Sequence, residues 1–164
     1  MLGEVPEWIP VRLSGLAARG VGAFRCAEEE TIYRDEVEER ARRHGLQAIR
    51  WPDPFPADTE FALLAATYAK QVGRAVAFSL AAFRQAFAGG RDLSDRDNVL
   101  IAAAACEMHP AAVTKGAGLR SIGERLERAT AEAAAAGVLD VPAVVTADGR
   151  VLHGDREIGA APAP

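Results

Sequence analysis

Apolar and turn-forming residues near the end of the chain follow a pattern that predicts a β-hairpin. Ala143–Thr146 is apolar and β-branched, and Asp148-Gly149 supplies the positive φ angles of a tight turn. Pro142 precedes this strand, where a missing N–H removes no ladder hydrogen bond. Val141–Pro142 is also a candidate for a cis bond, which only X–Pro bonds adopt at low cost. Both readings of Pro142 place it at the start of the hairpin.

Helical periodicity covers most of the preceding chain. Glu28–His44 begins with acidic residues and ends with basic ones, which complements the dipole of a helix. Between Phe61 and Phe87, large apolar residues recur every three or four positions and form one continuous stripe. Gly73 breaks or bends this long helix, and Gly89-Gly90 ends it.

Two further helices are predicted before the hairpin. Val99–Met108 is apolar almost all round, which indicates a buried helix, and His109-Pro110 stops it. A glycine-spaced stretch follows. Ser121-Ile-Gly-Glu124 then has the pattern of a capping box at the start of the last long helix, which runs to Ala136.

Three segments of the first 60 residues are predicted to be non-helical. Glu7–Leu13 is a plausible strand, and Pro10 places it at an edge or a bulge. Ser14–Ala27 is rich in small residues and predicts a loop. Trp51–Pro56 contains three prolines, each of which moves its predecessor out of the α region, so it is a rigid link. The order of strand, helix, helical block, helix and hairpin predicts an α/β domain with an all-helical insertion.

Composition narrows the classes of function. The chain has 164 residues, a formal net charge of −4 and a pI near 5.4, so no surface for nucleic acid is expected. The sequence contains no run of about 18 apolar residues, so no membrane span is predicted. No secretory signal is expected either. Cys26 and Cys106 form no Cys-x-x-Cys pair. A cytoplasmic protein with reduced thiols is therefore predicted.

No cluster of residues identifies a catalytic group or a metal site from the sequence alone. Cys26 has no His or Lys beside it, and Cys106 lies in an alanine-rich helix and is predicted to be core. Ser14 follows a strand in a loop, which is a poor setting for an activated hydroxyl. The three histidines have no spacing that suits a metal. The lack of a Cys-x-x-Cys pair also disfavours dithiol redox activity.

Several phrases of the sequence, taken together, resemble the DsbA-like thioredoxin family. They are Ala65–Lys70, Gly73–Phe78, Phe83–Phe87, Asp92–Asn98 and Val141-Pro142. Within that family the chain is most similar to the branch of 2-hydroxychromene-2-carboxylate isomerase and the kappa-class glutathione transferases. The resemblance implies a thioredoxin-like fold over residues 1–50 and 119–164, with a helical insertion over 51–118. It also implies a glutathione site between these parts, and relatives in this branch form homodimers.

The resemblance assigns the site to five residues. Val141, before the cis-proline Pro142, would offer its backbone to the cysteinyl part of glutathione, as an added strand would. Asp155 would contact the γ-glutamyl end, although an Asp at this position also suits the N-cap of a final short helix. Gly154 stands where the family often carries Asn or Ser. Trp51 matches a position that lines the substrate cleft in relatives.

The resemblance also implies that the start of the domain is shortened. In the family a first strand and helix carry a reactive Ser or Cys at the helix N-terminus, where the dipole favours a thiolate. Leu2–Val5 looks like the end of that helix, so the catalytic segment is expected to be absent. No catalytic residue is therefore assigned, and strand edges that the missing strand would cover are expected to lack partners.

Two functions remain open at this point. The first is a glutathione-dependent isomerase, in which a thiol adds to a small aromatic-derived substrate and is then expelled. The second is an inactive thioredoxin-fold remnant that acts as a binding module and presents its free sheet edge or its helical cleft. A homodimer is compatible with either function.

Overall fold

The computed structural model describes residues 6–16 and 24–160. Within them the chain forms seven α-helices and two short β-strands. The helices are α1 (Ala27–Arg43), α2 (Glu60–Gln71), α3 (Ala75–Phe83), α4 (Arg96–Ala105), α5 (Pro110–Ala117), α6 (Arg120–Ala135) and α7 (Gly154–Ala160). The strands are β1 (Ala143–Val145) and β2 (Val151–His153), and a π-helical turn, Arg84–Ala88, extends α3. None of these helices combines the length and the apolar character that a bilayer crossing requires.

The hydrophobic core lies among α2 to α6. Its largest fully buried side chains are Phe78, Val99, Val113, Ile122 and Leu126. Alanines with no exposed surface fill the space between them, namely Ala65, Ala69, Ala102 and Ala103. Because alanine adds little bulk, these positions allow the helices to pack closely.

Gly116 allows α5 to pack directly on α2. A Cβ atom at this position would lie 2.4 Å from Cδ2 of Tyr68, whereas carbon atoms in contact are about 3.5–4.0 Å apart. The Tyr68 ring therefore occupies the space that any larger residue at position 116 would need.

The long helix predicted from Phe61 to Phe87 is divided at Gly73. This residue has φ of +74°, a left-handed conformation that favours glycine, so α2 ends and α3 starts afresh. Val76, Leu80 and Phe83 of α3 are 42–53% exposed. The predicted break at Gly73 is confirmed, but the prediction of one continuous stripe on a single helix is wrong.

Helices α4, α5 and α6 also correct the sequence-based prediction. Ile101 is exposed, so α4 buries one face rather than its whole circumference. Pro110 lies in the first turn of α5, a position that tolerates its missing N–H, and the His109 ring accepts a hydrogen bond from the Ala111 N–H. His109-Pro110 therefore begins a helix that was not predicted. The capping box at Ser121 is wrong, because α6 starts one residue earlier and has no side-chain cap.

The strand predicted over Glu7–Leu13 is not formed. Residues 6–12 have no regular structure, and Leu13–Gly15 make a 3₁₀ turn. Pro10 cannot donate to a ladder, and the described residues contain no strand beside this segment. A strand needs such a partner to satisfy its backbone groups, so the local pattern alone was not sufficient.

Side-chain contacts hold this N-terminal segment on the helices instead. The Arg12 N–H donates to Thr130 Oγ1 of α6 at 3.0 Å, and the Arg12 guanidinium binds both carboxylate oxygens of Glu60 in α2. The predicted helix end at Leu2–Val5, and residues 17–23 of the predicted loop, lie outside the described residues.

The predicted helix over Glu28–His44 and the predicted hairpin are both confirmed. In the hairpin, Ala143 lies opposite His153 and Val145 opposite Val151 in an antiparallel register. Gly149 has φ of +82° in the connecting turn. The division of the chain at residues 50 and 118 stays a prediction.

Candidate functional site

The loop from α6 into β1 is fixed by hydrogen bonds to the other end of the hairpin. Its Leu139 N–H donates to Nε2 of His153 at 3.0 Å, and the Gly154 N–H donates to the Pro142 carbonyl at 2.9 Å. The Val141–Pro142 peptide bond is cis, so this prediction is confirmed. The structure thus places Val141, Pro142 and Gly154 close together, as the sequence-based prediction required.

The outer edge of β1 presents backbone groups without partners in the described part of the chain. Pro142 and Thr146 bond across to the β2 side, and antiparallel strands alternate the direction of their backbone groups. The N–H and C=O groups of Ala143 and Val145 therefore point away from β2. This is the edge that an added strand or an extended peptide would use.

Val141 continues this edge toward the proline. Its side chain is 44% exposed, and its N–H donates to Oδ1 of Asp140 at 2.7 Å. No described group donates to the Val141 carbonyl. A ligand that pairs with both backbone groups of Val141 must therefore displace the Asp140 carboxylate from the N–H.

Asp155 lies in the first turn of α7 and contacts the C-terminal end of α1. Its Oδ2 lies 3.2 Å from Nε2 of His44, and its Oδ1 lies 3.8 Å from a guanidinium nitrogen of Arg40. The hydrogen bond from His44, aided by the charge of Arg40, lowers the pKa of Asp155 below its usual 3.8. The carboxylate is therefore anionic at neutral pH and partly accessible. Because α7 begins at Gly154, the alternative of Asp155 as an N-cap is wrong.

Gly154 has φ of +67°. This left-handed conformation suits glycine and is unfavourable for most other residues. The glycine thus follows from the sharp turn between β2 and α7, where the family resemblance led us to expect Asn or Ser.

Tyr33 of α1 belongs to an aromatic cluster and feels the charges of Arg40 and Asp140. Burial raises the pKa of its hydroxyl, while the charge of Arg40 opposes that rise and the charge of Asp140 adds to it. Its ring lies 6.2 Å from the ring of Trp51 and stacks on Phe55 at a similar distance. Tyr33 is therefore near both charged residues and the aromatic cluster.

Trp51 is a half-buried member of this cluster. Its Nε1–H donates to Glu38 of α1 at 2.7 Å, and the Arg34 guanidinium lies 5.1 Å from the centre of its ring. Phe87 packs edge-on against it from the helical insertion. Trp51 thus links α1 to Phe87 of the π-helical turn, and among the described residues no hydrogen bond joins it to Val141 or Asp155. Its role in lining a substrate cleft stays a prediction.

The two cysteines lie in different environments. Cys26 is exposed just before α1. Cys106 is buried, its thiol lies within hydrogen-bond distance of the Ala102 and Ala103 carbonyls, and burial raises its pKa. The prediction that Cys106 belongs to the core is confirmed. Ser14 is exposed in the 3₁₀ turn.

Sequence reasoning did not identify Arg40, His44 or Tyr33 as neighbours of the site. The basic residues at the end of α1 were assigned to the helix dipole, which they also complement. The sequence showed only that Arg40 and His44 lie at the end of one helix. It did not show that they contact Asp155, which is more than a hundred residues away. The helical spacing of Tyr33 and Arg40, seven positions apart, was the only available signal that they share a face.

Comparison with known proteins identifies a matching family and a solved structure with a similar fold. The family model for the DSBA-like thioredoxin domain matches residues 7–160. Among solved structures, the selenomethionine form of 2-hydroxychromene-2-carboxylate isomerase (HCCA isomerase) superposes with a TM-score of 0.72 at 14% identity, covering 90% of this chain and 73% of the isomerase.

At this identity the isomerase shows that the two proteins share a fold, and no more. No curated protein sequence matches the chain significantly. The family match spans nearly the whole chain and includes the cis-proline, the hairpin and the helical insertion. The chain therefore belongs to the DsbA-like thioredoxin domain family.

Proposed function

We propose that this protein binds glutathione at the start of the hairpin and uses it as the thiol cofactor of an isomerase that acts on a small aromatic-derived molecule. The observation that carries the proposal is the open backbone edge at Val141, beside a cis-proline, with the anionic Asp155 on the neighbouring helix. The fold shared with HCCA isomerase supports the same assignment.

The backbone of Val141 is suited to the cysteinyl residue of glutathione. An extended peptide pairs with a free strand edge through its main-chain groups. The Val141 carbonyl is free to accept from the cysteinyl N–H. Its N–H becomes available to the cysteinyl carbonyl once the exposed Asp140 carboxylate rotates away, which is a small rearrangement.

Asp155 and Arg40 are suited to the charged ends of glutathione. The γ-glutamyl end carries an ammonium and a carboxylate. An anionic Asp155 would accept from the ammonium, and Arg40, which is also partly exposed, would donate to a carboxylate. Charge-assisted hydrogen bonds of this kind are stronger than neutral ones.

When bound, glutathione supplies a thiol that adds to an unsaturated substrate and is released again, so it is not consumed. The chain's own contribution is to hold and orient the tripeptide. Val141 and Pro142 would fix its middle, Gly154 would allow the turn that brings Asp155 close, and the cluster around Trp51 would offer an apolar wall to an aromatic substrate. No described residue is assigned as the group that activates the thiol.

Isothermal titration calorimetry with reduced glutathione tests the proposal. The unmodified protein should bind in the millimolar range or tighter. Asp155→Asn should weaken binding about ten- to a hundredfold, since one charged hydrogen bond of roughly 1.5–3 kcal/mol is lost. Asp148→Asn is the matched control, because Asp148 is also an exposed carboxylate of lowered pKa on the hairpin, with Arg150 and Thr146 as partners. Cysteinylglycine, which lacks the γ-glutamyl group, should bind Asp155→Asn and unmodified protein equally. Unchanged glutathione binding by Asp155→Asn would contradict the assignment.

A second candidate function, a strand-binding module, is favoured by the same free edge. Charged residues and prolines usually prevent pairing at the edge of a sheet, and Ala143–Val145 contains neither. Val145 is also 50% exposed. Pairing with a second copy along this edge would also produce the expected homodimer.

Sedimentation equilibrium tests this second candidate. Val145→Pro removes an N–H that points away from β2 and leaves the ladder intact, so it should dissociate a dimer formed at this edge. Val145→Thr keeps the N–H and should leave the dimer in place. A chain that is monomeric at high concentration, or a dimer that persists in Val145→Pro, would rule out self-pairing here.

A further inference from the structure

An open groove of about 600 Å³ lies between the N-terminal segment and the junction of α2 and α3. Trp8, Val76 and Leu80 form its apolar wall, and each is 37–43% exposed. Lys70 and Arg74 stand at its border. Small-ligand sites combine an apolar lining with a few polar groups, and this open groove contains both kinds of residue. The groove shares no residue with the site on the hairpin.

The two cations are paired with carboxylates that are easily displaced. Lys70 binds Glu7, and Arg74 lies 2.9 Å from Glu107. In each pair the acid is much more exposed than the base, with Glu7 at 70% against 33% for Lys70, and Glu107 at 79% against 47% for Arg74. Ion pairs this exposed are weak, so a ligand carboxylate could replace either partner while the cations stay in place.

The start of α3 adds further donors to the same groove. Gly73 and residues 74–77 line it, and the first turn of α3 has neither a side-chain cap nor an acidic residue. The first N–H groups of a helix have no partner within it, and together with the helix dipole they favour an anion. Lys70, Arg74 and the start of α3 thus border the same groove as Val76 and Leu80.

We propose that this groove binds a small amphipathic carboxylate, with the carboxylate between Lys70, Arg74 and the start of α3, and the hydrocarbon part against Trp8, Val76 and Leu80. The proposal is independent of glutathione binding.

Amide NMR titration of the full chain with octanoate tests this proposal, with octanamide and acetate as probes that lack the charge and the hydrocarbon chain respectively. Octanoate should shift the signals of residues 73–80 and of the Trp8 indole at millimolar concentration. Octanamide and acetate should each bind at least tenfold more weakly. Equal binding of octanoate and octanamide, or shifts outside the groove, would overturn the proposal.

Two variants separate the charged contacts from folding. Lys70→Gln combined with Arg74→Gln should weaken octanoate binding at least tenfold, whereas Arg120→Gln, which removes an exposed cation paired with Glu124, should leave it unchanged. Val76→Asp places an acid in the first turn of α3, where the helix dipole favours it. It should keep or raise the Tm while it abolishes octanoate binding. Undiminished binding in either groove variant would overturn the proposal.

Discussion

Replacement of Gly116 by alanine tests how closely α5 packs on α2. The new Cβ would lie 2.4, 2.6 and 2.7 Å from Cδ2, Cε2 and Cγ of Tyr68, so either the ring or the helix must move by about 1 Å to restore ordinary contact. Overpacking of this kind costs about 1–3 kcal/mol. Alanine recovers about 0.8–1.0 kcal/mol of helix propensity relative to glycine. Because three ring atoms are affected at once, we expect a net loss of roughly 1–2 kcal/mol.

Gly123→Ala is the matched control, since it makes the same chemical change in the interior of another helix. Nothing lies within 4 Å of a Cβ at this position in α6, so the substitution should stabilise the protein by about 0.5–1 kcal/mol through propensity alone. Urea unfolding measures both values. In thermal melts, Gly116→Ala should lower Tm by about 2–8 °C and Gly123→Ala should raise it by about 1–4 °C.

The packing of α5 on α2 would be refuted if Gly116→Ala stabilised the protein as much as Gly123→Ala does. A double mutant locates the cause. In a Tyr68→Ala background the clash is gone, so Gly116→Ala should become stabilising. A loss that persists in this background would mean that the Tyr68 ring is not what limits position 116.

Three further predictions concern other parts of the molecule. Thr130→Val removes the acceptor of the Arg12 N–H and should lower the free energy of unfolding by about 1–2 kcal/mol in urea titrations; an unchanged value would contradict that contact. Cys26 should react with a thiol reagent in the native protein, whereas Cys106, which is buried and has a raised pKa, should react only at the rate of unfolding; equal rates would contradict its burial. Asp155 has a pKa below 3.8, so its contacts contribute stability above that pH and lose it as the pH falls through the lowered value. Carboxyl NMR titration should place its midpoint below 3.8, and a midpoint above this value would contradict the pairing.

Elements whose signal is local were predictable from the sequence. The dipeptide Asp148-Gly149 specifies a turn between two apolar runs, and the charge order of α1 specifies both of its ends. Gly73 was rightly expected to interrupt the helical pattern. Each of these features depends on the conformational preference of a few adjacent residues.

Elements that depend on partners were not predictable in this way. Glu7–Leu13 has the composition of a strand but finds no neighbouring strand in the described residues, so its Arg12 N–H binds Thr130 instead. Pro110 can stop one helix or start the next, and the sequence does not distinguish the two; in the structure α5 starts there and packs on α2 through Gly116. For the same reason the sequence could not reveal that Phe83 is exposed although it belongs to a regular apolar pattern.

The candidate site was predictable only in part. The family resemblance led to Val141, Pro142, Gly154 and Asp155, and the fold brings these residues together. Asp155 pairs with residues at the end of α1 that are distant from it in the sequence. The helix dipole already explained the basic residues at that end, so the sequence indicated no further partner for them. Long-range contacts of this kind leave no local pattern.

The most direct test of the central claim is an amide NMR titration of the ¹⁵N-labelled protein with reduced glutathione. We expect concentration-dependent shifts confined to residues 139–145, residues 154–157 and the end of α1 around Arg40, with the largest at Val141 and Ala143. The absence of shifts at millimolar glutathione, or shifts that map to the groove at residues 70–80 instead, would contradict a glutathione site at the hairpin.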